Sequence, residues 1–148
     1  MAPDPMSAAF EEARAAGGRG EVPIGAAIAR DGAIIASAGN RTIADNDPTA
    51  HAEILAIRAA GAALGSQRLA DCDLYVTLEP CAMCAGAISF ARLRRLYYAA
   101  SDAKGGAVEH GPRFFTQPTC HHAPDVYGGI RESEAAALLR AFFEARRN

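Results

Sequence analysis

Apolar positions along the chain fall into alternating helical and strand-like runs. Met6, Ala9, Phe10 and Ala13 recur at three- and four-residue intervals behind Asp4-Pro5, a capping residue followed by a first-turn proline, and Gly17-Gly18 closes the run. That spacing predicts a first helix. Val22 to Arg30 and Ala33 to Ala38 read as two strands joined at Asp31-Gly32, a dipeptide suited to a tight hairpin turn. Ile54, Leu55, Ile57 and Leu64 give the segment after Asp47-Pro48-Thr49 one apolar side, with Thr49 or Asp47 available as its cap. Another helix is expected from Pro80, placed at its first position, between the short apolar strands Leu74 to Leu78 and Leu96 to Ala100. Strand, helix, strand in that order is a parallel β-α-β unit. Residues 101–125 are the least regular. Asp125 to Tyr127 reads as an edge strand, and Ser133 opens a closing helix with Ala135, Leu138, Leu139, Phe142 and Phe143 on one side. The pattern as a whole is α/β, a mixed sheet covered by helices.

Two short strings carry the candidate chemistry. His51-Ala52-Glu53 and Pro80-Cys81-Ala82-Met83-Cys84 supply one imidazole, two thiols and a spare carboxylate, each at the start of an expected helix. Catalytic zinc takes three protein ligands of these types and keeps its fourth position for water. Two thiolates offset the metal's charge, so the water is acidified less than at a three-histidine site and a base is needed close by. Glu53 is that candidate base. Cys81 and Cys84, three apart, share one helix face, and a helix N-terminus favours thiolates. Each string alone has a plainer meaning: H-x-E is common at solvated helix starts, and C-x-x-C also serves redox pairs or buried thiols. A structural zinc would need a fourth ligand such as Cys72, Cys120, His121 or His122. Together the strings match the H-x-E and P-C-x-x-C signature of zinc nucleobase deaminases.

Composition narrows the setting. With 148 residues, 50% of them hydrophobic, a single domain over 1–148 is expected. The apolar stretches are too short for a membrane span, and Met1-Ala2-Pro3-Asp4 lacks the positive start of a secretory signal, so a cytoplasmic location is expected. Cys72 and Cys120 are then free thiols. A net charge of -2 and a pI near 6.1 argue against a broad electrostatic grip on nucleic acid. RNA contact would have to be local, and single-stranded loops need only stacking and a few cations. Arg92, Arg94 and Arg95, then Lys104, then Arg146 and Arg147 beside Phe142 and Phe143 are the candidates, although such arginines ordinarily solvate helix ends.

Over nearly its whole length the chain resembles the bacterial tRNA-specific adenosine deaminases, the TadA branch of the cytidine deaminase-like superfamily. The resemblance is carried by Glu21 to Ala26, Asn40-Arg41, Asp47 to Ile54, Leu74 to Ile88, Asp102-Ala103-Lys104 and the tail Phe142 to Arg147. It implies a three-layer α/β/α fold with a central mixed five-stranded sheet, one zinc per subunit held by His51, Cys81 and Cys84, and a homodimer. Its implied activity is hydrolytic conversion of the wobble adenosine of a tRNA anticodon loop to inosine, with Glu53 moving the proton from water to the base. By the same resemblance Asn40 and the backbone N–H of Ala52 orient the base, and Val22, Pro23, Ile24 and Leu78 line the pocket. Asp102, Lys104, Phe143 and Arg146 would hold the anticodon loop. On pattern alone Asn40 is a turn residue, Asp102 to Gly106 a solvated turn, and Val22 to Ile24 strand core. Glu144 departs from the more basic tails of the family. A deaminase of free guanine, cytosine or their nucleosides would use the same zinc and carboxylate. No DNA substrate is expected. Val108 to His122, with its Cys120-His121-His122 string, has no counterpart in the generic pattern; packing or a subunit contact is its expected role ahead of a second metal.

Overall fold

In the computed structural model, which describes residues 4–146, the carboxylate of Asp4 accepts the Ser7 amide at 3.0 Å and caps α1 (Pro5–Gly18). Arg147 lies outside the described residues. β1 (Gly25–Arg30) and β2 (Ala33–Gly39) form the expected hairpin, and Asp31 and Gly32 both take positive φ (51° and 79°), the geometry a two-residue turn of this hand requires. β1 starts three residues later than its hydrophobic run, because Pro23 has no N–H to give a ladder and the Ile24 amide turns back to the Val22 carbonyl.

α2 (Ala52–Leu64) begins after His51, not at Pro48. Asp47 spends its carboxylate on the amide and hydroxyl of Thr49, closing a turn of its own, and His51 becomes the extended residue at the helix mouth. β3 (Asp73–Leu78) and β4 (Arg95–Ala100) pair in parallel across α3 (Ala82–Ala91), which starts one residue after Cys81 rather than at Pro80. β5 (Asp125–Tyr127) adds a parallel edge, and α4 (Glu132–Ala145) closes the described chain. The five strands run in the order β2-β1-β3-β4-β5, antiparallel on the β1 side and parallel on the β4 side, so the sheet is mixed as expected.

Alternation along the strands makes three layers. Ala26, Ile28, Leu74, Val76, Leu96 and Tyr98 face α2 and α3, whereas Ala27, Tyr75, Tyr97 and Ala99 face α1 and α4. On α2 the buried positions are Ala52, Glu53, Ala56 and Ala60, while Ile54, Leu55, Ile57 and Leu64 are only half-buried. Small side chains bring this helix close to the sheet, and its branched residues flank the contact. That approach places the first turn of α2 against the first turn of α3, at the carboxyl ends of β3 and β4.

Candidate metal centre and base cavity

His51 and Cys81 occupy equivalent positions, each the extended residue that opens a helix, and neither spends its own side chain on capping that helix. Cys84 lies in the first turn of α3. The ring Nδ1 of His51 is 3.7 Å from Cys81 Sγ and 3.5 Å from Cys84 Sγ, and the three ligand atoms lie within 4.8 Å of one another. Zn–S bonds of about 2.3 Å and a Zn–N bond of about 2.0–2.1 Å at a tetrahedral angle require an N···S edge of about 3.6 Å. The donor set therefore fits zinc in spacing as well as in type. Among the described residues it is the one group of three such side chains close enough to share an ion.

The sulfurs are prepared unequally. A hydrogen bond from Cys84, opposed by burial and supported by His51, lowers the Cys81 pKa to about 4, so its thiolate is present at neutral pH. Cys84, paired with that thiolate and buried, is held far above the ordinary thiol range. A divalent cation displaces the remaining proton. His51 is raised by its bond to Cys81.

Glu53 sits one residue into α2, beside the ligands but outside the set, and only 4% exposed. Burial pushes its carboxyl up to about 7, where a group can both take and return a proton near neutrality. Asn40, also buried, accepts the Ala52 amide through its side-chain oxygen at 2.8 Å. Ala52 N–H is thus spent on Asn40, which leaves the Asn40 amide nitrogen as this pair's donor. The Arg19 guanidinium holds the Asn40 carbonyl at 3.1 Å.

A cavity of about 160 Å³ lies over these groups, lined by Ile24, His51, Glu53, Leu78, Glu79, Cys81, Asp102 and Gly105. Next to it a groove of about 450 Å³ is lined by Val22, Leu78, Ser101, Asp102, Leu139 and Phe143 among others. Leu78 and Asp102 belong to both walls, so the two spaces adjoin. Ile24, Leu78 and Asp102 meet at the base cavity, and Val22 and Phe143 at the groove. Pro23 and Arg146 line a third hollow between α1 and α4, where the Arg146 guanidinium lies 3.5 Å from the centre of the Phe142 ring. Lys104 is exposed beyond the rim, its amide tied to Asp102.

Other candidates have structural work. Arg94 makes a two-point pair with Asp73 at 3.0 and 2.9 Å, Arg95 a looser one, and Arg92 donates to the His121 carbonyl. All three sit at the opposite end of β4 from the cavity. Cys120 Sγ is 3.6 Å from Ser89 Oγ, and His122 Nε2 is 2.7 Å from the Leu93 carbonyl, so this string packs against the end of α3. Cys72 and Cys120 are free. Sequence reasoning missed Glu79, whose signal was a carboxylate placed directly before the Pro80-Cys81 ligand turn.

Comparison with known proteins agrees with this geometry. The family described as the cytidine and deoxycytidylate deaminase zinc-binding region matches residues 3–100. A tRNA-specific adenosine deaminase of Agrobacterium fabrum is 66% identical over 142 residues, 96% of this chain and 93% of the relative. A solved structure from a study of A-to-I editing by tRNA:A34 deaminases superposes with a TM-score of 0.90 at 67% identity, covering 91% of this chain and 98% of the other. The guanine deaminase of Nitrosomonas europaea superposes at 0.80 with 28% identity, covering 93% and 82%. The chain is thus a zinc-dependent hydrolytic deaminase of cytidine deaminase-like fold and belongs to the tRNA-specific adenosine deaminase family.

Proposed function

We propose that the chain converts the wobble adenosine of a tRNA anticodon loop to inosine and ammonia, with water as co-substrate. Carrying this reading is the half-enclosed base cavity that continues past Leu78 and Asp102 into a groove. A free-base enzyme gains from a pocket closed on all sides, whereas an RNA substrate needs room for the nucleotides beside the flipped base. The shared-fold guanine deaminase makes guanine a necessary control substrate.

His51, Cys81 and Cys84 hold the zinc, which when bound supplies Lewis acidity to the attacking water. Glu53 takes one proton of the water as the C–O bond forms at C6 and delivers it to N1, then takes the proton of the new C6 hydroxyl and passes it to the amine, which leaves as ammonia as the C–N bond breaks. Its burial suits this shuttling, because a carboxyl pushed up to about 7 both accepts and releases a proton near neutrality. In this reading the Asn40 amide nitrogen is the donor to the base, its side-chain oxygen being taken by the Ala52 amide. Phe143 offers a half-exposed ring for stacking along the groove. Lys104 and Arg146 supply charge farther out.

The working form in this reading is a cytoplasmic homodimer of single deaminase domains, one zinc in each, acting on tRNA and not on DNA. In support of the dimer, Phe90 is 80% exposed on α3 and continues a stripe with Met83, Gly86 and Ala87. Among the described residues no helix is long and apolar enough to cross a membrane. The test is incubation of the zinc-loaded protein with an anticodon stem-loop carrying a wobble adenosine, beside free adenosine, guanine and cytidine. Inosine from the stem-loop alone supports the reading; ammonia from a free base and none from RNA overturns it.

A further inference from the structure

The groove wall depends on a residue outside the chemistry described so far. Glu79 follows the last residue of β3, its amide extending the ladder to Ala100, and its carboxylate is completely buried. Five donors converge on it: the amides of Asp102, Val108, Glu109 and His110 at 3.0–3.2 Å and the His110 ring Nδ1 at 2.8 Å. A carboxylate only accepts, so His110 Nδ1 carries the hydrogen. From below, the Tyr98 hydroxyl donates to Glu109 at 2.6 Å, and the Ala107 amide donates to the Pro80 carbonyl. The unmatched stretch that starts at Val108 is therefore fastened, at its head, to the turn that presents Cys81.

The two oxygens of Glu79 hold different things. Oε2 gathers the three successive amides of Val108 to His110, which is a local anchoring job. Oε1 takes Asp102 N–H and His110, and Asp102 is the residue shared by the base cavity and the groove. Asp102 in turn accepts the amides of Lys104 and Gly105. One buried oxygen thus sets the rim at the point where an extruded base and its neighbouring nucleotide would part. Gly106 shows how closely the loop is pressed on this anchor: a Cβ there would overlap the Asp102 carbonyl and come within 2.6 Å of the Glu79 carboxylate.

We propose that Glu79 is a positioning residue for the RNA substrate, its Oε1 clamping Asp102 at the boundary between base cavity and groove. This rests on the wobble-adenosine reading for the identity of the substrate. Glu79→Gln separates the two oxygens. The surviving carbonyl is drawn to the three amides of 108–110, and the new NH₂ group meets Asp102 N–H as donor against donor, so the rim is released while the rest of the loop stays fastened.

The experiment compares wild type, Glu79→Gln and Gly106→Ala, all zinc-loaded, by stem-loop kinetics, zinc content and amide hydrogen exchange. Expected for Glu79→Gln is a KM raised about tenfold with kcat within about twofold, one zinc per chain, and exchange at Asp102 faster by about tenfold. Gly106→Ala presses a methyl group on the Asp102 carbonyl and the Glu79 carboxylate while leaving every charged side chain in place, and gives the same KM effect, which keeps the test alive if the Gln variant does not fold. Unchanged KM and unchanged exchange at Asp102 overturn the proposal. So does a fall in kcat accompanied by zinc loss, which makes Glu79 a support for Cys81 alone. If wild type leaves the stem-loop untouched, the substrate reading fails, and exchange at Asp102 by itself decides the clamp.

Discussion

Asn40 and Ala52, twelve positions apart, are joined by a 2.8 Å hydrogen bond from the Ala52 amide to the Asn40 side-chain oxygen. The bond links the strand end after β2 to the mouth of α2, between His51 and Glu53, the proposed acid-base residue. It gives Asn40 two separable duties. Asn40→Asp keeps an acceptor for Ala52 but removes the amide donor that the proposed function assigns to the base; kcat/KM for the stem-loop is expected to fall about 10²-fold while the melting temperature is nearly unchanged. Asn40→Ala removes the acceptor as well and leaves a helix-mouth amide unpaired, so about 1–2 kcal/mol of stability is lost besides. Equal stability of the two variants in urea unfolding would break this division.

Metal removal should expose a reactive thiol. Cys81 is half-buried with its pKa lowered to about 4, whereas Cys84 is held as a thiol and buried. Cys72 is buried and pushed up to about 11 by that burial. Chelation therefore abolishes turnover and makes Cys81 the fastest site of iodoacetamide labelling at pH 7, and zinc restores both activity and protection. Peptide mapping of the label is the check; Cys72 labelled ahead of Cys81 contradicts it.

Acid sensitivity has a named source next to the site. Burial works against the charge on Glu21, but the amides of Ala44 and Ile43 and the Thr42 hydroxyl outweigh it and hold the carboxyl below its ordinary 4.5. A depressed folded-state pKa contributes stability that is present above 4.5 and lost as pH falls through the lower folded value. Since Glu21 pins the loop that follows Asn40, wild type loses stability progressively as pH falls below the ordinary 4.5 and through the lower folded value. Glu21→Gln is less stable at pH 7 and shows a shallower acid slope in urea unfolding at stepped pH.

How much of this was legible follows from where the interactions lie. The gathering of His51, Cys81 and Cys84 beside Glu53 could be read from two strings because each string is local and zinc dictates ligand type. The exact helix starts could not: Asp47 and Pro80 look like helix openers by propensity, and only the Thr49 turn and the metal-facing geometry of His51 and Cys81 move the starts two to four residues on. The face of α2 was read from its large residues, whereas close approach to the sheet selects its alanines. Glu79 was invisible since its partners are 23 to 31 residues away, in a stretch without hydrophobic period. Arg92, Arg94 and Arg95 read as one basic cluster, yet Asp73 and the His121 carbonyl already occupy them.

Tail residues divide by the space they face. Phe143 lines the groove with Leu78 and Asp102, whereas Arg146 is stacked on Phe142 in the hollow behind α1. Phe143→Ala raises KM for the stem-loop about tenfold, the worth of one stacked base, at any ionic strength. Arg146→Ala has a smaller effect that vanishes with added salt, as a screened charge contact should. A reversed order, with the arginine dominant and salt-independent, would place the RNA over α1 instead of the groove.

Phe90 tests the dimer. A ring 80% exposed on α3, in line with Met83, Gly86 and Ala87, is costly to leave in water, and the stripe begins beside the ligand Cys84. A second copy seated on this stripe would stiffen the helix that carries the metal ligands. Phe90→Asp places a charge within that proposed contact, which an apolar interface does not accommodate. Sedimentation then shows monomer where wild type shows dimer, and because Phe90 points away from the sheet the monomer keeps its circular dichroism spectrum. Zinc retention and turnover are expected to fall with dissociation and to recover with rising protein concentration. A Phe90→Asp protein that sediments as wild type does would remove α3 from the interface.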